Sequence, residues 1–234
     1  MPSDDAPDWW RKPRRVSVVV DNPNWMTPFA RQLVAELAAG GDHARFLEDP
    51  GSVPAGGITF YLNCHSRIPD TILARSRHNL VVHASRLPHG RGMSPWVWQI
   101  LEGARTLPLS LFEAVSEIDA GPVYRVVEIP LEGHELVDEL RDRLGRATVE
   151  LCRWFVEQER PPEGRVQRGT PTYYRRRRPE DSRLDPHMSL AEQFDLLRVV
   201  DNLRYPAFFD YRGKRYIVRI EKGPDPAEGE GGQG

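Results

Sequence analysis

The chain has 234 residues, of which 39% are hydrophobic and 28% charged, a composition typical of one folded domain or of one domain with a small appendage. Its formal net charge of −2 gives no sign of a nucleic-acid partner. No apolar run approaches the roughly 20 residues of a membrane-spanning helix. The polar N-terminus lacks the apolar core of a signal peptide. We therefore expect a cytoplasmic protein that has no membrane partner.

The two cysteines, Cys64 and Cys152, give no sign of a structural framework. Neither has a neighbouring cysteine at metal-ligand spacing, which argues against a zinc site and against a disulfide scaffold. Cys64 lies near the predicted site described below, but a buried, inert thiol is the commoner case for such a residue. We expect reduced thiols and no metal.

The first half of the chain alternates between strand and helix patterns. Val16–Asp21 is a β-branched run typical of a strand buried on both faces. Thr27–Ala39 carries apolar residues at helical spacing until two glycines end the pattern. The alternation continues with the predicted strands His43–Leu47, Ile58–Leu62 and Leu80–His83 and a short helix near Asp70–Ala74. It predicts an α/β sheet of parallel strands, with ligands at the carboxyl ends near Asp21, Asn63 and His83.

The second half departs from strict alternation. It predicts the helices Ser94–Leu101 and His134–Glu157, the strands Leu109–Glu113 and Val123–Ile129, and an extended segment at Thr172–Tyr174. Ser189 followed by Glu192 forms a capping-box pattern that predicts a helix over Ser189–Val200. Tyr205–Phe209 and Tyr216–Ile220 then frame a hairpin turn at Arg212–Lys214.

Composition shifts suggest four segments. Residues 1–14 are predicted to be a flexible leader, and residues 15–160 the α/β core. Residues 161–222 are predicted to form a linker and a small C-terminal subdomain. The tail over 223–234 is rich in Gly, Pro and Glu and is predicted to be disordered.

Two polar residues lie at predicted strand–loop junctions, where catalytic residues are common. His83 ends a predicted buried strand and is followed by a loop rich in Pro and Gly, and Asp119 lies in a turn just before another strand. Acyl transfer to an amine needs such an acid–base pair, because the amine loses a proton and an oxyanion must be stabilised. A loop histidine is nevertheless more often structural, so spacing alone does not decide between the two roles.

Four ordered segments resemble one enzyme family. They are His83-Ala84-Ser85-Arg86-Leu87-Pro88 with Gly92, then Asp119-Ala120-Gly121, then Arg67–Leu73 upstream, and residues 173–209 downstream. The resemblance is to the formyltransferases that use 10-formyltetrahydrofolate, whose pattern is Asn-x-His-x-Ser-x-Leu-Pro-x-x-x-Gly followed by Asp-x-Gly. It implies a Rossmann-like formyltransferase core with a mostly parallel sheet and a small C-terminal α+β appendage. It also implies 10-formyltetrahydrofolate as co-substrate, no metal, and a homodimer by analogy.

The sequence departs from the family pattern at one catalytic position. Val81 stands where the family has Asn, two residues before His83. Asn79 lies on the same strand face, and Asn63 ends a neighbouring predicted strand, so either amide or a backbone donor could complete the oxyanion site. The resemblance implies that His83 stabilises the oxyanion and moves protons, while Asp119 acts through a water or keeps His83 protonated. Our catalytic candidates are His83, Asp119 and Asn79; a weakened or lost activity is the alternative.

The resemblance also implies which residues bind the two substrates. The folate is expected in a cleft between three loops, at Asn63, His65, Ser85, Leu87, Pro88, Arg91, Gly92, Val115 and Gly121. Arg91 has a glycine on each side, which lets the backbone approach a ligand closely. The acceptor is expected at Trp96, Arg204 and Tyr205, although Trp96 and Tyr205 could simply pack in the core. The Arg175–Arg178 run could bind a diphosphate, but a solvated run is the commoner case.

The acceptor is the least determined part of the function. The segments 78–85, 94–103, 111–115 and 199–209 are similar to a subgroup of sugar N-formyltransferases associated with nonulosonic-acid and flagellin sugars. This similarity implies an amine on a nucleotide-linked deoxy sugar. The alternatives are an amino acid or hydroxylamine in natural-product or siderophore biosynthesis, a folate- or nucleotide-sugar-binding protein with impaired catalysis, and a formyl-folate hydrolase. Methionyl-tRNA is disfavoured because the chain shows no basic face for a phosphate backbone.

Overall fold

The structure, a computed structural model, describes residues 6–224 and is built around a six-stranded sheet. The strands are β1 (Arg15–Val19), β2 (His43–Leu47), β3 (Ile58–Tyr61), β4 (His78–His83), β5 (Arg91–Gly92), β6 (Thr106–Glu113), β7 (Val123–Pro130), β8 (Tyr173–Tyr174), β9 (Ala207–Tyr211) and β10 (Lys214–Val218). The main sheet has the order β2-β1-β3-β4-β6-β7. Its first four strands are parallel, and β6 and β7 are antiparallel. The prediction of an α/β, mostly parallel sheet is therefore confirmed.

Helices cover the sheet unequally. They are α1 (Thr27–Ala39), α2 (Asp70–Leu73), α3 (Pro95–Leu101), α4 (Val137–Val156) and α5 (Phe194–Val199). The main hydrophobic cluster joins α1, α3 and α4 to the alternate strand residues Val18, Phe60 and Leu80. A smaller cluster joins α2 to the opposite strand residues Val19, Tyr61 and Val81. Successive strand residues point to opposite faces, so α2 and the three longer helices lie on different sides of the sheet.

The contact between α1 and α4 depends on a glycine. A Cβ atom on Gly145 would lie 2.4 Å from Cε2 of Phe29, closer than any normal carbon contact. Gly145 therefore lets the Phe29 ring lie directly on the α4 backbone. The apolar face of α4, which includes Leu140, Leu144 and Phe155, is buried in the same cluster. None of the helices within residues 6–224 combines the length and apolar character that crossing a membrane requires.

The N-terminal segment differs from its prediction. Residues 1–5 lie outside the described residues, but residues 6–14, expected to be part of a flexible leader, pack on the core. Trp10 is 4% exposed, meets Phe155 edge-to-face and donates its indole N–H to the Gln158 carbonyl. Arg14 forms a buried ion pair with Asp42. An aromatic side chain that finds both an apolar pocket and a hydrogen-bond acceptor is stable in the core, which explains the order of this segment.

The C-terminal segment forms a small hydrophobic cluster of its own. Leu184, Leu197, Val200 and Ala207 are buried together beneath the β9–β10 hairpin. The predicted hairpin exists, but its strands lie about two residues from the predicted Tyr205–Phe209 and Tyr216–Ile220. Arg212 and Gly213 both have positive φ, 48° and 74°, so a two-residue turn sets the register. The predicted disordered tail lies outside the described residues from 225 onward.

The predicted helix Ser189–Val200 begins later than expected. The capping-box hydrogen bonds between Ser189 and Glu192 form, yet α5 starts only at Phe194. The Gln193 side chain accepts the N–H of Asp185 and donates to the carbonyls of Asp185 and Met188. These bonds stabilise a turn in place of the first helical turns. Whether residues 161–222 form a separate subdomain stays a prediction.

Candidate active site

A cleft of about 580 Å³ opens where the loops after β1, β3 and β4 meet. It extends over both sides of the sheet edge, because its lining combines members of the two hydrophobic clusters. One part is apolar and includes Tyr61, Leu73, Val81, Phe112 and Val115. The other part includes Met26, Val82, Trp96, Leu144 and several arginines. The volume is within the range of roughly 300–1,000 Å³ that is usual for small-molecule sites.

His83 lies at the carboxyl end of β4 and is 8% exposed. Its Nε2 is 2.8 Å from the carbonyl oxygen of Gly90. A carbonyl can only accept, so Nε2 carries a proton in this arrangement. The ring also meets Phe112 edge-to-face, at 6.4 Å between centroids. His83 is thus held in one orientation at the cleft with a known donor nitrogen.

Asp119 faces His83 across the cleft. Its Oδ2 is 3.8 Å from Nε2 of His83, which is too long for a direct hydrogen bond. The same oxygen accepts the backbone N–H of Gly92 at 2.9 Å. Asp119 has a positive φ of 55°, an uncommon conformation that Asp and Asn tolerate best among non-glycine residues. At this distance a single water lying beside the pair can bond to both atoms, but none fits directly between them.

A glutamine from the segment after α4 fixes the Asp119 turn. Nε2 of Gln167 donates to the carbonyls of Asp119 and Gly121, both at 2.8 Å. Its Oε1 accepts from Nη2 of Arg91, and Nη1 of Arg91 pairs with Glu117. Sequence reasoning missed Gln167, since no motif or spacing marks it. Only the course of the chain past the His83 loop, through the β5–β8 pair, brings it here.

Asn79, one of the three catalytic candidates, does not reach the cleft. Its amide donates to the Leu73 carbonyl, and its side-chain oxygen accepts from the Tyr61 hydroxyl at 3.5 Å. These bonds use both ends of the side chain in the sheet, so the structure gives no support to Asn79 as a catalytic amide. Asn63 does line the cleft, with a positive φ of 50°. Within residues 6–224 its side-chain amide makes no hydrogen bond, which leaves it available to a ligand.

The predicted folate residues divide into two groups. Four of them line the cleft: Asn63, His65, Gly92 and Val115. Five lie outside the lining of the cleft: Ser85, Leu87, Pro88, Arg91 and Gly121. Ser85 and Leu87 are buried, and the Ser110 hydroxyl donates to the Ser85 carbonyl and accepts the backbone N–H of Leu87. The Leu87–Pro88 peptide bond is cis. Arg91, 5% exposed, is occupied by Gln167 and Glu117. A Cβ at Gly121 would lie 1.8 Å from the Glu113 carbonyl oxygen, which explains the glycine structurally.

Asp21 organises the loop after β3. Its carboxylate accepts the backbone N–H groups of His65 and Ser66 at 2.7–3.1 Å. Partial burial alone would raise the pKa of Asp21, but these backbone donors and the Asn22 side chain lower it below its usual value. Asp21 is therefore ionised at neutral pH and holds the Asn63–Arg67 loop against the cleft.

The thiol beside this loop is not activated. Burial raises the pKa of Cys64 to about 12, and its Sγ lies 3.5 Å from the Val19 carbonyl oxygen. A thiol with such a pKa is not a nucleophile at neutral pH. Within residues 6–224 no group of three or more His, Cys, Asp or Glu side chains is arranged to hold a metal ion.

The three predicted acceptor residues all line the cleft. Trp96 is 9% exposed at the start of α3, while Arg204 and Tyr205 are exposed in the loop after α5. Arg176, Arg177 and Arg178 line it too. The sequence marked this run, with solvation as the favoured interpretation for most of it; Arg176 and Arg178 are exposed and Arg177 is half-buried. A contact that the sequence does not indicate holds this run at the cleft: the Trp98 indole N–H donates to the Arg175 carbonyl at 2.9 Å.

Comparison with known proteins identifies the fold. Sequence models of known protein families give no match to this chain. The methionyl-tRNA formyltransferase from Clostridium thermocellum superimposes with a TM-score of 0.75 and 20% identity, over 88% of this chain and 92% of that one. A sugar N-formyltransferase from a Shewanella species has a TM-score of 0.64 and 15% identity, over 89% and 98%.

A third structure contains a folate. HypX from Aquifex aeolicus in complex with tetrahydrofolic acid matches with a TM-score of 0.68 and 16% identity, over 88% of this chain and 37% of HypX. The three similarities each span nearly the whole described chain, so they concern its entire architecture. The chain has the Rossmann-like fold of the formyltransferases.

Proposed function

We propose that this chain is an N-formyltransferase, which moves a formyl group from 10-formyltetrahydrofolate to the amine of a small acceptor. The observation that carries the proposal is the meeting of His83 and Asp119 in one cleft, 3.8 Å apart. The lining of the same cleft combines apolar side chains with arginines. The formyltransferase fold supports the same reaction.

The reaction needs two functions from the protein. The amine nitrogen forms a bond to the formyl carbon, the bond between that carbon and the folate nitrogen breaks, and the amine proton replaces the formyl group on the folate. The N–H on Nε2 of His83 donates to the Gly90 carbonyl in this structure, and it would stabilise the negative oxygen that develops by exchanging that acceptor for the oxyanion. Asp119 is suited to receive the amine proton through a bridging water. The side-chain amide of Asn63 is a second donor for the oxygen, in place of the amide absent at Val81.

The apolar part of the cleft fits the flat ring of a folate. Val81 is the register partner of Tyr61 on one side and Phe112 on the other, so the three side chains form a continuous apolar surface. Val115 extends it and is 41% exposed. Backbone groups of the Asn63–Arg67 loop, held by Asp21, supply hydrogen-bonding partners at its edge. A mostly apolar cavity with a few fixed polar groups is the usual form of a cofactor-sized site.

For the acceptor, we propose a nucleotide-linked amino-deoxy sugar. The arginine-lined part of the cleft favours an anionic group, and Trp96 offers an aromatic surface to a sugar ring. The fold's likeness to a sugar N-formyltransferase agrees with this class. An amino acid or hydroxylamine acceptor is the second candidate. A binding protein without catalysis is the third, motivated by Val81.

The test is an assay with 10-formyltetrahydrofolate and a panel of amines. The panel contains uridine- and thymidine-diphosphate amino sugars, hydroxyornithine and methionyl-tRNA, with product mass as the readout. A formylated nucleotide sugar is the expected product. Formylation of hydroxyornithine alone would keep the reaction and change the acceptor. Folate binding with no formylated product from any amine would refute the transferase.

A further inference from the structure

Strand β8 pairs in parallel with β5, the two-residue strand in the loop after His83. The two strands are distant in sequence, since Thr172 is 82 residues from Gly90. Within the loop, the Gly90 carbonyl accepts the N–H of His83, and Asp119 accepts the backbone N–H of Gly92. The backbone that contacts both reacting side chains therefore lies at the β5–β8 pair.

Thr172 holds Gly90 through two of its own atoms. Its hydroxyl oxygen, Oγ1, accepts the backbone N–H of Gly90 at 2.8 Å. Its carbonyl accepts the backbone N–H of Arg91 at 2.9 Å. The Arg91 N–H and the Gly90 carbonyl belong to one planar peptide unit, and this carbonyl is the one that accepts from Nε2 of His83 at 2.8 Å. The orientation of that peptide, and with it the orientation of the His83 ring, depends on Thr172.

The close approach of β8 requires glycine at two positions of the loop. Gly90 and Gly92 have positive φ, 71° and 97°, which glycine adopts without strain. A Cβ atom on Gly92 would lie 2.4 Å from the Tyr174 carbonyl oxygen, and one on Gly90 would lie 2.9 Å from Cε2 of Tyr174. The backbone N–H of Met93 donates to the Tyr174 carbonyl at 3.0 Å and completes the pairing. The loop is thus shaped to receive β8.

The Thr172 hydroxyl is the part of this contact that a substitution can remove, because the other acceptors on β8 are backbone carbonyls. Thr172 is exposed, whereas Gly90 is buried. Without the hydroxyl, the Gly90 N–H loses its acceptor, and a buried donor without a partner favours another orientation of the peptide. Thr172 does not line the cleft, so it acts on the site through Gly90 and not by touching a substrate.

We propose that Thr172 is a positioning residue for the reaction, which fixes the Gly90–Arg91 peptide and through it holds His83 facing Asp119. The effect on turnover rests on the proposed function, while the effect on the His83 ring does not. Displacement of a reacting group by about 1 Å costs on the order of 100-fold in rate. Loss of a hydrogen bond that maintains such a position should therefore appear in kcat and leave the binding of substrates nearly unchanged.

Three variants separate the hydroxyl from the shape of the side chain. Thr172→Val replaces the hydroxyl by a methyl group of similar size, and Thr172→Ser keeps the hydroxyl. The matched control is Thr170→Val, the same change at a nearby exposed threonine whose side chain makes no hydrogen bond within residues 6–224. Steady-state kinetics gives kcat and KM, and calorimetry gives the affinity for tetrahydrofolate. Nitrogen-15 NMR of the histidine rings, with His83→Asn to assign the signal, reports which ring nitrogen carries the proton.

Thr172→Val should lower kcat about tenfold or more, while Thr172→Ser should stay within about threefold of the wild type and Thr170→Val should match it. KM for the acceptor and the affinity for tetrahydrofolate should change less than about twofold in all three variants. The His83 ring should carry its proton on Nε2 in the wild type, Thr172→Ser and Thr170→Val. In Thr172→Val the ring signals should shift toward a mixture of the two neutral tautomers. Circular dichroism checks that each variant is folded.

Three results would overturn the positioning role. The first is a wild-type kcat with a wild-type ring spectrum in Thr172→Val. The second is an equal loss of kcat in Thr172→Ser and Thr172→Val, which would assign the loss to the shape of the side chain. The third is a response in only one of the two readouts, kcat or ring spectrum, in a protein that turns over. If the wild type formylates no amine, the proposed function fails, and the ring spectrum alone then decides the positioning role.

Discussion

The Gly90 carbonyl decides how His83 can act. Because Nε2 donates to this carbonyl, the proton lies on the nitrogen nearest Asp119, and the ring cannot present Nε2 as a base. His83 would stabilise negative charge by moving this N–H from the Gly90 carbonyl to the developing oxyanion, and Asp119 is left to accept the amine proton. Two side chains of opposite charge preference in one cleft can divide acid and base roles in this way.

His83→Asn and Asp119→Asn test this division of roles. Each variant keeps the approximate side-chain size and should lower kcat by about 10²–10⁴-fold, the usual contribution of a positioned acid–base group. The thermal unfolding temperature should change little in His83→Asn. Steady-state kinetics with the best acceptor is the measurement. Near wild-type kcat in both variants would contradict the assignment of the pair.

Asn63 and Asn79 should respond differently to substitution. Asn63→Asp keeps the residue's tolerance of positive φ, removes the amide donor and should lower kcat by about 10²–10³-fold if the amide stabilises the oxyanion. Asn79→Ala should instead lower the free energy of unfolding by about 1–3 kcal/mol, since it leaves buried partners unsatisfied. Kinetics and urea unfolding of both variants distinguish the roles. A selective kcat loss in Asn79→Ala would restore it as the catalytic amide.

At the scale of elements, local patterns predicted most of the fold. Helix α1 and strand β2 have the predicted bounds, and β3, α3, β7 and α4 differ from their predictions by a few residues at the ends. These elements have strong hydrophobic periodicity or clear stop signals. The prediction failed where a side chain from elsewhere decided the backbone, as Gln193 does before α5.

The same distinction explains the site. His83 and Asp119 end or precede strands, so their meeting follows from sheet topology that the sequence signals. Gly121 occupies a motif position and Arg91 lies within the motif loop, yet both serve the packing of the loops, which depends on partners such as Gln167 and Glu113. The motif placed these residues in the loops around the site, but it did not predict which way each side chain faces.

Gln167 is predicted to position the Asp119 turn. Gln167→Leu removes both hydrogen bonds to that turn and leaves Arg91 with one fewer partner. We expect kcat to fall by up to about 100-fold, because small displacements of a reacting group have effects of this size. Tetrahydrofolate affinity should change little. The control is the exposed neighbour Arg168, as Arg168→Ala. A fall in folate affinity with unchanged kcat would contradict the positioning role.

At the scale of the whole molecule, ion pairs join the C-terminal segment to α4 and the loop before it, and two of them are largely buried. Arg198 and Glu135 are 1% and 0% exposed and pair at 2.5 Å, and Arg141 pairs with Asp201 at 2.7 Å. This junction carries the loop of Arg204 and Tyr205 to the cleft. Its integrity therefore connects the stability of the fold with binding of the acceptor.

Breaking the buried pair should destabilise the molecule. Arg198→Met removes one of the two arginines paired with the buried Glu135 carboxylate, while Arg143 remains. The free energy of unfolding should fall by about 1–3 kcal/mol. The matched control is Arg183→Met, which breaks a pair that is 44% and 41% exposed on its two sides and should cost about 0–1 kcal/mol. Urea unfolding measures both. Equal losses of unfolding free energy in the two variants would contradict the idea that burial makes the Arg198–Glu135 pair important for stability.

The same junction should weaken in acid. Burial would raise the pKa of Glu135 and of Asp201, but backbone N–H donors and the paired arginines lower both below their usual values of 4.5 and 3.8. Carboxylates with lowered pKa stabilise the fold above their unfolded-state pKa, and this stability is lost as the pH falls through the folded-state values. Between pH 5 and 7 these two carboxylates should change the free energy of unfolding by about 1 kcal/mol or less. Below about pH 4 the free energy of unfolding should decline. Arg198→Met should show a shallower decline in urea titrations at stepped pH.

Formyl transfer is measured most directly by the dependence of tetrahydrofolate release on the acceptor. Purified protein is incubated with 10-formyltetrahydrofolate, with and without the acceptor found in the panel, and tetrahydrofolate and formylated product are both quantified. We predict release only when the acceptor is present, in equal amount to the formylated product, and its loss in His83→Asn. Equal release without the acceptor would show a hydrolase, and no release under either condition would contradict formyl transfer.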